Sequence, residues 1–105
     1  MSKPKWLSIF KKDKLVGYIR TSHDTGESLC IGCDVHPDMR GKGIATQAYT
    51  QAIDYFYKSG YLLLWLEVFE DNDTAIHLYN KLGFKIVNRR KEKERQALVM
   101  VHVNC

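Results

Sequence analysis

The chain has 105 residues, 45% of them apolar, with 16 basic against 12 acidic side chains and a formal net charge of +4. That length supports one domain with one core, and the apolar share excludes a disordered chain. The mild positive balance favours anionic ligands but is too weak for a dedicated nucleic-acid binder, so nucleic acid is not expected as a partner.

Residues 6–10 alternate in a strand-like way, with Trp6, Ser8 and Phe10 against Leu7 and Ile9. Lys11-Lys12-Asp13-Lys14 is a polar turn, and residues 15–20 read as a second strand, which predicts a hairpin. Asp24-Thr25-Gly26 is a second turn. Residues 28–35 form a third strand and complete an antiparallel meander. Gly32 in its middle points to a bulge or a close backbone approach.

The apolar run ends at Pro37, which cannot continue a central strand. From Ile44 the pattern changes: Ile44, Ala45, Ala48, Tyr49, Ala52, Ile53 and Phe56 recur at steps of three and four. This predicts an amphipathic helix over about residues 42–59, closed by Gly60. Arg40, Gly41, Lys42 and Gly43 then sit at a helix N-terminus, where backbone N–H groups lack intrahelical partners and the macrodipole adds positive charge. The glycines admit a ligand close to the backbone, and Arg40 and Lys42 add two cations. The stretch reads either as a plain helix start with basic residues or as a cradle for a phosphate or pyrophosphate. It is not a P-loop, because GxxxxGK[ST] is absent. Nor is it the dinucleotide fingerprint, since Thr46 stands where that motif needs glycine.

Residues 62–69 are nearly continuously apolar, which predicts a strand buried on both faces. After a helical crossover it should lie parallel to the preceding strand. Asn72 is a helix N-cap for a second helix, whose apolar face is Ala75, Ile76, Leu78, Tyr79 and Leu82. Gly83 closes it, residues 84–88 form a fifth strand, and residues 97–103 form the last. The charge run at residues 89–95 reads as a solvated hairpin that could steer an acidic partner. No repeat or linker interrupts the order, so residues 1–105 are expected to form a single α/β domain: a mixed, mainly antiparallel sheet with two helices.

The three cysteines, Cys30, Cys33 and Cys105, argue against a secreted disulfide framework. Cys30 and Cys33 are spaced as C-x-x-C, but no second ligand pair follows and the motif lies within a strand, so no metal is expected. No signal peptide or long apolar segment is seen, and the expected compartment is the cytoplasm. Glu67 interrupts the apolar strand on the face of Leu63, Trp65 and Phe69. Burial there would raise its pKa and suit it to take a proton from an ammonium acceptor. The other reading is a carboxylate at the strand's exit, solvated or paired with a lysine. Asp34 is a rival base at the end of the third strand, whereas His36 and His77 read as surface residues.

Two motifs give the chain a resemblance. Arg40-x-x-Gly43-x-Ala45, preceded by Val35-His36-Pro37-Asp38, is similar to the acetyl-CoA signature of the GNAT N-acetyltransferase family. Asn72 followed by Ala75-Ile76-His77-Leu78-Tyr79-Asn80-Lys81-Leu82-Gly83-Phe84 fits a second signature of that family. Leu66-Glu67-Val68, with Glu67 twelve residues before Tyr79, is similar to the ribosomal-protein alanine acetyltransferases within it. The match covers roughly residues 6–103.

The resemblance implies an acetyl-CoA-dependent N-acetyltransferase with direct attack by an amine in a ternary complex. The acceptor could be a protein N-terminus, a lysine or a small-molecule amine. It implies pantetheine beside Cys33, Asp34 and Val35, with Asn72 also in contact, and pyrophosphate held by the backbone of Arg40, Gly41, Lys42, Gly43, Ile44 and Ala45. It implies that Tyr79 protonates the leaving CoA thiolate; the base, on the reading of the residues above, is Glu67, with Asp34 as its rival. The family usually begins with a strand and two helices that help shape the acceptor pocket, whereas only residues 1–5 precede Trp6. The consequence is an open groove suited to a peptide end, a homodimer in which a second subunit covers the gap, or an acyl-CoA- or partner-binding module that no longer catalyses.

Overall fold

A computed structural model of the chain describes residues 6–36 and 43–104. Six strands form one sheet in the order β1-β2-β3-β4-β6-β5. They are β1 (Trp6–Lys11), β2 (Lys14–Ser22), β3 (Ser28–Val35), β4 (Leu63–Phe69), β5 (Lys85–Glu92) and β6 (Arg95–Val103). Helix α1 (Ile44–Lys58) makes the crossover between β3 and β4, and α2 (Asp73–Lys81) joins β4 to β5. The β3–β4 pair is parallel and every other neighbouring pair is antiparallel. The expected meander, the crossover and the mixed sheet are all present.

The alternation of the strands decides where the helices sit. On β4, Leu64, Leu66 and Val68 are buried while Leu63, Trp65 and Phe69 are only half-buried and Glu67 is exposed. Tyr49, Ala52 and Phe56 of α1 join the buried face, together with Ile19, Leu29, Ile31, Leu98 and Met100 from the sheet. Ala75, Ile76, Leu78, Tyr79 and Leu82 of α2 pack against the same core, as the spacing predicts, but no residue of α2 is fully buried. Both helices thus cover one face. The reading of β4 as buried on both faces is corrected: its second face carries no helix among the described residues.

Gly32 makes no bulge. The β2–β3 register runs unbroken through Arg20↔Gly32, and the irregularities of the sheet fall at Ile9/Phe10 and Ile86/Asn88. Gly32 instead lies under the Arg20 side chain, whose Nη2 would be 3.2 Å from an added Cβ. The charge run is a solvent-exposed hairpin, as expected. Its residues continue β5 and begin β6, paired from Lys91↔Gln96 to Glu92↔Arg95.

One feature of the ladder positions the site. β3 and β4 pair only at Ser28↔Leu63, Leu29↔Leu64 and Cys30↔Trp65. Beyond that point β3 stays with β2 as far as Val35, and β4 stays with β6 as far as Phe69. The two parallel strands therefore part at their C-terminal ends and open a slot through the sheet.

Candidate active site

The C-terminal ends of parallel strands and the N-terminus of the crossover helix lie together in an open α/β sheet. Here α1 begins at Ile44, two residues later than its pattern predicts. Gly43 takes the N-cap position with φ 76°, a left-handed conformation that glycine adopts at little cost. No side chain caps the helix and its first turn holds no acidic residue. Among the described residues, Ala45 and its neighbours thus begin a helix whose first turn carries no side-chain anion. Arg40, Gly41 and Lys42 lie outside the described residues.

Cys33, Asp34 and Val35 lie on β3 beyond its last pairing with β4. Successive side chains on a strand point to opposite faces. Cys33 therefore turns towards the helices and packs against the core, where burial pushes its thiol up to about 11. Asp34 turns to the other face and forms an ion pair with Arg20 of β2. Cys30 and Cys33 are both free and, three residues apart on one strand, project to opposite faces. Among the described residues no cluster of His, Cys, Asp or Glu could hold a metal ion.

Tyr79 projects from α2 towards the slot, and Cys33 lies within electrostatic reach of it. Its hydroxyl is 3.4 Å from that of Tyr49 on α1, with the rings edge-to-face at 5.5 Å. Burial raises the Tyr79 pKa, and the hydrogen bond from Tyr49 works in the opposite direction. Burial, aided by the facing Tyr79 hydroxyl, drives Tyr49 far above the ordinary phenol range.

Glu67 is not buried as its apolar neighbours predict. It lies on the helix-free face, and Arg90 of β5 donates a hydrogen bond to its Oε2. Two further arginines of the charge run repeat the arrangement, with Arg95 bonded to Asp71 at 2.8 Å and Arg89 4.0 Å from Glu70. The run thus sets three arginines beside the acidic end of β4 while remaining exposed to solvent.

Asn72 caps α2 as expected, its Oδ1 accepting from the Ala75 N–H at 3.3 Å. Glu67, Asn72 and Tyr79 meet around one pocket of about 240 Å³, completed by Val68, Phe69, Glu92 and Ala97. Its lining comes from both faces of the sheet: Val68 and Tyr79 from the helix side, Glu67 and Phe69 from the other. A larger groove of about 420 Å³ runs between β1 and α1, but of the candidate residues it touches only Ile44. His36 and His77 are exposed, as their positions in the sequence predict.

Tyr49, Arg20, Arg90 and Gly17 escape sequence reading. Tyr49 falls in the apolar stripe of α1 and reads as core. The arginines find their carboxylates only through strand pairing. Gly17 carries the same signal as Gly32, a glycine inside a strand pattern, and it is the one that meets backbone: an added Cβ would lie 2.2 Å from the Asp34 carbonyl oxygen.

Comparison with known proteins gives a consistent result. The model of the acetyltransferase (GNAT) family matches residues 2–84. Spermidine N(1)-acetyltransferase of Escherichia coli (strain K12) is 43% identical over 53 residues, which are 50% of this chain and 28% of that protein. The crystal structure of the ribosomal-protein-S18-alanine N-acetyltransferase from Escherichia coli superposes with a TM-score of 0.82 at 25% identity, covering 95% of this chain and 70% of that one. The structure of yncA from Salmonella typhimurium, solved with its cofactor acetyl-CoA, gives a TM-score of 0.81 at 17% identity, over 93% of this chain and 63% of that one. The chain therefore spans well under two thirds of the spermidine acetyltransferase it matches.

Proposed function

The chain belongs to the GNAT acetyltransferase family, and from that premise we propose that it transfers an acetyl group from acetyl-CoA to an amine. The observation that carries the reading is the parting of β3 from β4 beyond Cys30/Trp65, with Tyr79 on one side of the opening and Glu67 on the other. Acetyl-CoA enters from the helix side. Its pyrophosphate lies at the N-terminus of α1, against the backbone of residues 40–45. Its pantetheine runs along Cys33, Asp34 and Val35, with Asn72 at its side. The amine approaches from the opposite face, which no helix covers among the described residues.

Each group then has one task. A neutral amine attacks the thioester carbon, and N–H groups of β3 stabilise the oxyanion. Glu67 takes the proton of the incoming ammonium, directly or through water, exchanging Arg90 for the acceptor. The C–S bond breaks and Tyr79 protonates the thiolate. Burial keeps Tyr79 protonated at neutral pH but also weakens it as an acid towards a thiolate whose conjugate acid titrates near ~8.5, so the transfer depends on the hydrogen bond from Tyr49, which works against that rise. The relatives named above act on spermidine and on an alanine of ribosomal protein S18, and small-molecule and protein amines, with lysine, all stay within this proposal. No helix among the described residues is long and apolar enough to cross a membrane. We place the activity in the cytoplasm, where acetyl-CoA and these acceptors meet.

The test is calorimetric titration with acetyl-CoA, followed by transfer to spermidine, an alanine-initiated peptide and a lysine peptide. The expected result is affinity on the order of micromolar, with transfer that falls by about 10²-fold or more in Tyr79→Phe at unchanged acetyl-CoA affinity. Binding without transfer to any of these would support the CoA-binding module. Absence of binding would refute the cofactor site itself.

A further inference from the structure

We propose that Tyr49 is the positioning residue of the acid: its buried hydroxyl donates to Tyr79, aims the Tyr79 proton at the sulfur of CoA and stabilises the phenolate left behind. This rests on the reading of Tyr79 as the acid and goes one residue deeper. Tyr49 is only 1% exposed, yet it carries a hydroxyl into the core; the other tyrosine of that core, Tyr61, donates its hydroxyl to the Asp24 carboxylate. The Tyr49 ring alone would satisfy the packing, since the edge-to-face contact at 5.5 Å needs no oxygen. A buried hydroxyl without a partner is costly. Among the described residues the only partner Tyr49 has is the Tyr79 hydroxyl, at 3.4 Å.

Pairing the two hydroxyls favours one direction for the proton. Among the described residues Tyr49 has a single hydrogen-bond partner, and directing its O–H at the Tyr79 oxygen is the arrangement that leaves neither proton without an acceptor. The Tyr79 oxygen then receives a bond from the core side, and its own O–H is free to turn to the pocket that Tyr79 lines. Were Tyr79 to donate to Tyr49 instead, its proton would face the core and the Tyr49 proton would have no acceptor. The charge balance of the step follows. As the C–S bond breaks, the sulfur takes the electron pair and forms an S–H bond with the Tyr79 proton. The O–H bond of Tyr79 breaks and leaves a phenolate, which accepts the Tyr49 O–H bond at its greatest strength, because one partner is now charged. The proton released by the attacking amine restores Tyr79. Tyr49 stays protonated throughout, consistent with its strongly raised pKa.

Binding of CoA alone tests this without an acceptor. Affinities of CoA and of desulfo-CoA, which lacks the thiol, are measured by calorimetry from pH 7 to 9.5, across the thiol range near ~8.5. In the wild-type protein CoA should gain on desulfo-CoA as pH rises, because a donor at position 79 favours the thiolate. Tyr79→Phe should abolish the gain. Tyr49→Phe should reduce it by about three- to tenfold, with no further effect in the Tyr49→Phe/Tyr79→Phe double variant. Tyr49→Met, which also lacks the hydroxyl, should reproduce the loss, and thermal melts show that each variant is folded. A full gain in Tyr49→Phe, or an equal loss of affinity for both ligands, would overturn the role of Tyr49 and leave that of Tyr79 standing. Parallel affinities in the wild-type protein would instead remove Tyr79 from the sulfur, and the proposal with it.

Discussion

Replacing Gly17 by alanine perturbs the strand pair that forms one wall of the slot. Gly17 pairs with Val35 across β2 and β3. A Cβ on Gly17 would sit 2.2 Å from the Asp34 carbonyl oxygen and 3.0 Å from the Val35 Cα, both backbone atoms. Ordinary contact begins near 3.4 Å, so the strands must open by roughly 1 Å in a close-packed interior. Such overpacking costs about 1–3 kcal/mol, which lowers the Tm of a domain this size by roughly 5–20 °C. The displaced atoms belong to Asp34 and Val35, where the pantetheine is proposed to lie. Loss of one or two hydrogen bonds there weakens CoA binding by about 5- to 30-fold. Gly32→Ala is the control. Its Cβ meets only the tip of the Arg20 side chain, at 3.2 Å. That tip can swing away, and the expected change in stability is within about 0.5 kcal/mol. Thermal melts and CoA titrations of the two variants decide the matter: a Gly17→Ala protein that melts and binds like the wild type would refute the close approach.

Three further outcomes are expected. Phe56 is 1% exposed and meets Tyr61 edge-to-face at 5.9 Å; Phe56→Ala should cost about 3–5 kcal/mol in chemical denaturation, and a loss under about 1 kcal/mol would mean that α1 is not seated on the sheet. The pKa of His102 is lowered by burial, its Nδ1 lying 2.6 Å from the Tyr57 hydroxyl. A depressed histidine favours the native state above its unfolded value near ~6.5 and gives up that stability as pH falls below it. His102→Gln should therefore flatten the decline of the urea midpoint between pH 7.5 and roughly pH 5, and an unchanged slope would assign the decline to other groups. If Glu67 is the base, Glu67→Gln should slow transfer by about 10²-fold at neutral pH. The defect should shrink as pH approaches that of the free amine, and a constant defect across pH would make Glu67 a structural partner of Arg90.

The sequence alone determined the elements and their order, because each is written in local pattern. The stripe from Ile44 to Phe56 can only be a helix face, and Asn72 and Gly83 mark the ends of the next one through the needs of their own backbone. It also brought Tyr79, Asn72 and Glu67 forward as candidates, since each stands in a motif or breaks a pattern. The tertiary structure alone decided what those side chains face. The partner of Glu67 is Arg90, 23 residues away, and it arrives through pairing of β4 with β6 and of β6 with β5. Gly17 and Gly32 look alike in sequence; which of them touches backbone depends on how β2 lies against β3. Tyr49 is one more apolar position on its helix until α2 brings a second hydroxyl to within 3.4 Å. The slot itself is written in no residue: it opens because β3 follows β2 and β4 follows β6, and two strands held by different neighbours twist apart.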